Sequence, residues 1–188
     1  MKLTNLEKNT VVQLTDFELT VGKAIGERRS GYNRSKNVKK QNVDKKRTGV
    51  EIDILGAQGE LAFYKMIDRF PVEPFITDRV MSKKTGSDIG DVVIDGFTVD
   101  IKSTEHKTGR LIARKAFESK CIDIYCLMTK ETDNSFCFRG FFPAKELLVE
   151  SRLGVLGTYV NRPCYIATQE ELYDFSECVE KISIDKAS

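Results

Sequence analysis

The chain has 188 residues, 40% of them hydrophobic and 31% charged, with a formal net charge of +2. These values are typical of one globular domain with a substantial core, so we predict a single domain over residues 1–188, with its core at about 51–182. No apolar run approaches the ~20 residues of a membrane span, and the N-terminus lacks the apolar segment of a signal peptide. We therefore expect a cytoplasmic protein with no membrane partner, as in a bacterial or phage-infected host cell.

Reactive residues are few, which excludes several kinds of site. A single histidine, His106, cannot supply the nuclease sites that are built on several histidines, and we expect it to be solvated in a polar loop. No glycine-rich segment ends in lysine followed by serine or threonine, so a P-loop ATPase is excluded. The cysteines contain no C-x-x-C pair, and we expect all of them to be reduced and not zinc ligands. They are Cys121, Cys126, Cys137, Cys164 and Cys178.

The first predicted element is a helix. The pattern Thr15-x-x-Glu18 is a capping box, and it opens a helix in which Phe17, Val21 and Ile25 recur at helical spacing. We expect these three apolar residues to lie on one face of the helix.

A strongly basic arm, at about residues 23–47, follows this face. It holds ten lysines and arginines against two acidic residues, which gives about +8 and leaves about −6 on the rest of the chain. Such a local excess is typical of nucleic-acid binding, although a solvated linker has the same composition. We predict that DNA phosphates contact Arg28, Arg29, Arg34, Lys36, Lys39 and Lys40.

A second helix is predicted over residues 52–70, because apolar side chains recur there at helical spacing. Glu60 lies at the edge of its apolar stripe, near the small residues Gly56 and Gly59. Small residues allow a close approach of neighbouring backbone. Taken alone, Glu60 is more typical of a boundary salt bridge than of a metal ligand.

A β-hairpin follows a short strand expected near residues 75–76. Asp95-Gly96 stands between two runs of alternating β-branched residues, which is a strong signal for a two-residue turn. With this turn Asp91 faces Asp100, and Lys102 shares their polar face. The opposite, apolar face carries Val92, Ile94, Phe97, Val99 and Ile101.

The polar face of the hairpin predicts a cation site. Opposed like charges destabilise a strand pair, so Asp91 and Asp100 need compensation, and a divalent cation such as Mg²⁺ prefers carboxylate oxygens. The alternative is an ordinary polar face in contact with solvent.

The later elements are predicted more briefly. Lys107 and Arg110 lie in a polar loop and are further candidates for phosphate contact. The secondary structure of residues 111–117 is ambiguous, while residues 121–128 and 136–143 are typical of core strands. A helix opens at Pro143, residues 163–167 form a last strand, and Thr168-x-x-Glu171 caps the final helix.

Glu60 on a helix, Asp91, and Asp100-Ile101-Lys102 on a hairpin together resemble the PD-(D/E)xK phosphodiesterase superfamily, the restriction-endonuclease-like nucleases. The resemblance covers roughly residues 55–142. Gly90 stands before Asp91, where the motif has proline. The resemblance implies an α/β fold with a restriction-endonuclease-like core, in which helices flank a mixed central β-sheet.

The resemblance also implies a function, magnesium-dependent hydrolysis of DNA by an endonuclease. Glu60, Asp91, Asp100 and the backbone carbonyl of Ile101 would hold Mg²⁺, for which Mn²⁺ would substitute. Lys102 would steady the attacking water or the phosphate charge. Asp88 competes with Asp91 for the first-strand position, but the hairpin register favours Asp91. Cutting both strands of a duplex needs two sites, so a homodimer is compatible with this interpretation.

Two other functions remain open. A catalytically silent nucleic-acid-binding or decoy protein would keep the fold without turnover, and a globular interaction domain would merely expose an acidic hairpin. Presence of the complete Glu/Asp/Asp/Lys set favours the nuclease. DNA and RNA, and endonuclease and exonuclease action, are not distinguished by these residues.

Overall fold

The computed structural model describes residues 6–35, 48–68, 91–114, 121–155 and 163–186. They form a mixed α/β structure with one five-stranded and one three-stranded sheet. The strands are β1 (Val11–Gln13), β2 (Val92–Ile94), β3 (Phe97–Thr104), β4 (Leu111–Arg114), β5 (Ile124–Thr132), β6 (Ser135–Pro143), β7 (Leu153–Val155) and β8 (Pro163–Ala167). The helices are α1 (Asp16–Ser35), α2 (Gly49–Met66), α3 (Ala144–Leu147) and α4 (Phe175–Lys186), with a 3-10 turn at Glu150–Arg152.

The larger sheet is mixed, with the strand order β1-β6-β5-β3-β2. Its β3–β5 pair is parallel, and the other three pairs are antiparallel. Parallel neighbours need a crossover connection, and here the crossover contains β4, which joins β8 and β7 in the smaller sheet. The mixed sheet predicted from sequence is thus confirmed.

The β2–β3 hairpin has the predicted register. Val92 pairs with Val99, and Ile94 with Phe97. The turn residues Asp95 and Gly96 both have positive φ, 48° and 86°. This is the backbone that a type I′ turn requires, and it matches the twist of the two strands.

Helix α1 is capped as predicted but is longer than expected. The backbone N–H of Thr15 donates to the Glu18 carboxylate (2.7 Å), and the Glu18 N–H donates to the Thr15 hydroxyl (3.2 Å). Ile25 is buried, whereas Phe17, in the first turn, is 68% exposed. The helix continues to Ser35, so the first half of the basic arm is helical.

Helices α1 and α2 pack closely through glycine. A Cβ atom added at Gly26 would lie 2.5 Å from the backbone nitrogen of Ile54 and 2.8 Å from the carbonyl carbon of Asp53. Helix α2 itself begins at a capping box formed by Thr48 and Glu51. It ends at Met66, four residues earlier than predicted.

The five-stranded sheet is covered on both faces. Helices α1, α2 and α4 cover one face over a core that includes Phe63, Phe138 and Phe141. The smaller sheet and α3 cover the other face over a core that includes Tyr125 and Leu127. Strand β5 is buried on both sides, which explains its continuous apolar run.

Burial of both faces corrects one expectation about the hairpin. Asp100 and Lys102 pair in register with Tyr125 and Leu127, so they lie on the face of the second core. Asp100 is only 6% exposed. The second core therefore partly covers the polar face of β3, which the sequence did not predict.

The C-terminal elements agree with the predictions except at the last helix. Pro143 precedes α3, and β8 is the predicted final strand. The Thr168 N–H does donate to Glu171 (2.7 Å), but α4 begins at Phe175, after a second box in which Asp174 and Glu177 bond reciprocally. The predicted cap was therefore placed too early.

Some predictions concern residues outside the described parts, namely the strand near residues 75–76 and the position of Asp88. The ambiguous segment is a strand over Leu111–Arg114, and its remaining residues are not described. All five cysteines are described, and none forms a disulfide. Within the described residues, no helix combines the length and the apolar character that crossing a membrane requires.

Candidate functional site

Helix α2 crosses β3 at its glycine-rich turn. A Cβ atom added at Gly59 would lie 2.8 Å from the Cβ atom of Ser103, so only glycine allows this approach. Glu60 is the next residue of the helix and is buried, with 7% exposure. The close crossing therefore places a buried carboxylate beside β3.

Asp91 is held by three hydrogen bonds where β2 begins. Its backbone N–H donates to the Val99 carbonyl (2.8 Å), and its carboxylate accepts from the Ile101 N–H (2.7 Å). Its carbonyl accepts from the Tyr64 hydroxyl (2.6 Å). Tyr64 lies one turn after Glu60, so the same side of α2 carries a candidate ligand and an anchor for Asp91.

Asp100 and Lys102 are neighbours on one face of β3 and form an ion pair. The Lys102 Nζ also lies 5.8 Å from the centroid of the Tyr125 ring. Burial lowers the pKa of Lys102, but the charges of Asp100 and Asp91 outweigh burial and raise it. Lys102 is therefore a protonated ammonium group at neutral pH.

Arg29 enters the same cluster from α1. Its Nη1 and Nη2 donate to the two carboxylate oxygens of Glu60, both at 2.6 Å. The two side chains are only 13% and 9% exposed. Burial lowers the pKa of Arg29, but the Glu60 carboxylate and the charges of Asp91 and Asp53 outweigh burial, so the pKa is raised overall. Arg29 is thus a permanent positive charge inside the acidic cluster.

The carboxylates of the cluster influence one another electrostatically. Burial, followed by the charges of Glu60 and Asp100, raises the pKa of Asp91 to about 8, although Lys102 and the Ile101 N–H oppose the shift. A cation among these groups would favour their ionised forms. Glu60 and Asp100 are therefore each close enough to Asp91 for their charges to shift its pKa.

The donor set suits Mg²⁺, which prefers carboxylate and carbonyl oxygens. Within the described residues, however, no three aspartate, glutamate, histidine or cysteine side chains are arranged so that they could hold a metal ion. Both Glu60 oxygens accept from Arg29, and Asp100 is paired with Lys102. The donor chemistry fits the ion, but the positive charge of Arg29 beside Glu60 opposes its binding there.

The remaining predicted DNA contacts are spread over two surfaces. Arg28 is exposed on α1. Lys107 and Arg110 are exposed in the β3–β4 loop, where the Gln169 amide donates to the carbonyls of Lys107 and Gly109, both at 2.8 Å. Arg34 lies in the last turn of α1 with its side chain undescribed, and the described parts do not include Lys36, Lys39 and Lys40.

Two parts of the site were missed by sequence reasoning. Tyr64 was not predicted to anchor Asp91, although the spacing Glu60-x-x-x-Tyr64 puts both side chains on one side of a helix. The pairing of Arg29 with Glu60 had no local signal, because 31 residues separate them.

Comparison with known proteins places the chain in a family without giving it a function. No curated protein and no solved structure matches the chain. Residues 6–136 match a family of unknown function, DUF5843, and this range includes the whole cluster of Arg29, Glu60, Asp91, Asp100 and Lys102. Because the match extends over more than half of its length, the chain belongs to DUF5843.

Proposed function

We propose that this chain is a magnesium-dependent deoxyribonuclease, an endonuclease with a restriction-endonuclease-like core that hydrolyses DNA phosphodiester bonds. One observation carries the proposal. Three carboxylates and a protonated lysine lie on α2 and the β2–β3 hairpin, where Glu60 and Asp100 are buried and the charges of both act on Asp91. Their order and placement are those that the PD-(D/E)xK resemblance implies.

Each residue of the cluster has a role in this proposal. Glu60, Asp91, Asp100 and the backbone carbonyl of Ile101 would hold Mg²⁺ or, in its place, Mn²⁺. The ion, when bound, would lower the pKa of a water molecule and stabilise charge on the phosphate. Lys102 supplies a fixed positive charge beside the carboxylates, where it stabilises negative charge that develops on phosphate oxygens.

Basic side chains around the cluster would hold the DNA backbone. Arg28 is exposed one residue before Arg29, which reaches into the cluster, so α1 connects an outer basic surface to the site. Lys107 and Arg110 would add contacts from the loop after β3. Phosphate contacts position a protein on DNA without reading its sequence, so we expect little base specificity. A homodimer would place two such sites on the two strands.

A catalytically silent nucleic-acid-binding or decoy protein is the second candidate. The observation in its favour is the Arg29–Glu60 pair, which occupies both oxygens of a required ligand. A protein without turnover would have no need to break this pair.

Cleavage assays separate the two candidates. Linear, circular, single-stranded and branched DNA, with RNA in parallel, would be incubated with the full chain in Mg²⁺, Mn²⁺ or EDTA, and binding measured separately. Asp100→Asn removes one charge from the cluster, while Asp133→Asn makes the same change on an exposed residue outside it.

The nuclease proposal requires metal-dependent cleavage of DNA that Asp100→Asn abolishes and Asp133→Asn preserves. DNA binding without cleavage under any condition supports the silent protein. Full cleavage in EDTA refutes the metal-dependent mechanism.

A further inference from the structure

The pair between Arg29 and Glu60 is the starting point. Both guanidinium donors reach the carboxylate at 2.6 Å, and both side chains are largely buried. Charge-assisted, bidentate bonds of this kind are short and strong. Glu60 is also the carboxylate that α2 contributes to the proposed metal site.

This pair and a bound cation compete for Glu60. A carboxylate whose two oxygens already accept from a guanidinium offers no free oxygen in the direction of its partner. The positive charge of Arg29 would also repel a divalent ion at close range. The pair therefore weakens the binding of a metal by Glu60.

DNA provides a second partner for Arg29. The guanidinium fork matches a phosphate as well as it matches a carboxylate. Arg29 stands beside the exposed Arg28 on α1 and keeps 13% side-chain exposure, so a phosphate held at this surface lies near it.

We propose that Arg29 is a switch residue, which holds Glu60 away from the metal until a DNA phosphate takes the guanidinium. This inference rests on the proposed nuclease function and adds its regulation. DNA binding to Arg29 releases Glu60 for the metal, and metal binding to Glu60 releases Arg29 for the DNA. Each ligand therefore favours the binding of the other, and such coupling is reciprocal. The free protein therefore binds metal weakly, and its site is completed on DNA.

Metal binding by the DNA-free protein tests the switch directly. Free Mn²⁺ would be followed by electron paramagnetic resonance during titration of the full-length wild type, Arg29→Gln and Asp100→Asn. Arg29→Gln should bind Mn²⁺ about tenfold more tightly than the wild type, within the usual range of coupling between sites. Asp100→Asn should lose Mn²⁺ binding, and this loss would assign the bound Mn²⁺ to the cluster.

Folding is controlled with a second variant, because removal of Arg29 leaves a buried carboxylate without its partner. Arg29→Lys keeps the charge but cannot bond both oxygens in the same plane. It should bind Mn²⁺ with an affinity between those of the wild type and Arg29→Gln. Thermal melting of each variant shows which of them are folded.

DNA affinity in EDTA gives a reciprocal test without metal. Glu60→Gln weakens the hold on Arg29, so it should bind a short duplex several-fold more tightly than the wild type. Asp100→Asn also removes one negative charge from the cluster, but it keeps the Arg29–Glu60 pair. It should therefore strengthen DNA binding less than Glu60→Gln does.

The outcomes distinguish the two proposals. If no folded form shows Mn²⁺ binding that depends on Asp100, the metal-dependent function fails. If the wild type shows such binding but Arg29→Gln and Arg29→Lys bind Mn²⁺ no more tightly, the switch alone is refuted. Equal DNA affinities of Glu60→Gln and Asp100→Asn would also contradict it.

Discussion

The contact between α1 and α2 leads to a quantitative prediction about Gly26. In Gly26→Ala the new Cβ atom would lie 2.5 Å from the Ile54 nitrogen and 2.8 Å from the Asp53 carbonyl carbon. Carbon atoms normally make contact at about 3.5–4.0 Å. Because the opposing atoms belong to the backbone, they cannot rotate away, so the helices must separate by about 1 Å at this crossing.

The expected loss of stability follows from two opposing effects. Overpacking of this kind costs about 1–3 kcal/mol or more, while replacement of a helical glycine by alanine returns about 1 kcal/mol. We expect a net loss of about 2 kcal/mol in the free energy of unfolding, taken from the upper part of this range because the contact is with backbone. For a chain of this size the melting temperature should fall by about 4–8 °C.

Gly31 supplies the matched control in the same helix. A Cβ atom at Gly31 would meet no atom within 4 Å among the described residues, so Gly31→Ala should be neutral or gain up to about 1 kcal/mol. Urea denaturation and thermal melting of both variants measure the difference. The proposed packing is refuted if Gly26→Ala is as stable as Gly31→Ala.

Three further predictions concern the site and the last helix. Tyr64→Phe removes the hydroxyl that donates to the Asp91 carbonyl. It should cost about 1 kcal/mol of stability and lower kcat for DNA cleavage. An unchanged kcat would show that this bond does not position Asp91. Ca²⁺ is larger than Mg²⁺ and tolerates looser geometry, so it should support DNA binding without cleavage. Gel shift and cleavage assays measure the two, and efficient cleavage in Ca²⁺ would contradict the proposed site. Asp174→Ala removes the N-terminal cap of α4 and should cost about 1 kcal/mol in urea denaturation, whereas no loss would show that this cap is unimportant.

The parts of the fold that depend on local signals could be predicted from the sequence. The hairpin register follows from the Asp95-Gly96 turn and from the two-residue period of the strands. The capping box at Thr15 likewise acts within a single turn of helix. These features depend on residues that are close in sequence, so a single chain contains all the information they need.

Long-range packing explains the features that were not predicted. Asp100 is buried because the β4-β8-β7 sheet covers its face, and the pairing of β4 with β8 joins residues 50 or more positions apart. The cap of α4 was misplaced because two similar boxes occur in succession, at Thr168 and Asp174, and only tertiary packing selects the second. The role of Arg29 depends on the crossing of two helices, which no local pattern specifies.

The energetics of the cluster favour a functional explanation over a structural one. Buried ion pairs contribute little net stability, because desolvation of the charges offsets their attraction, and apolar replacements are often more stable. Here three carboxylates, Glu60, Asp91 and Asp100, share a confined region with Arg29 and Lys102, so full ionisation leaves one negative charge without a partner. Burial is the largest cause of the pKa of Asp91, raised to about 8, and the charges of Glu60 and Asp100 add to it. A fold selected only for stability would gain by replacing such a group, whereas a site that must accept a cation needs the surplus negative charge.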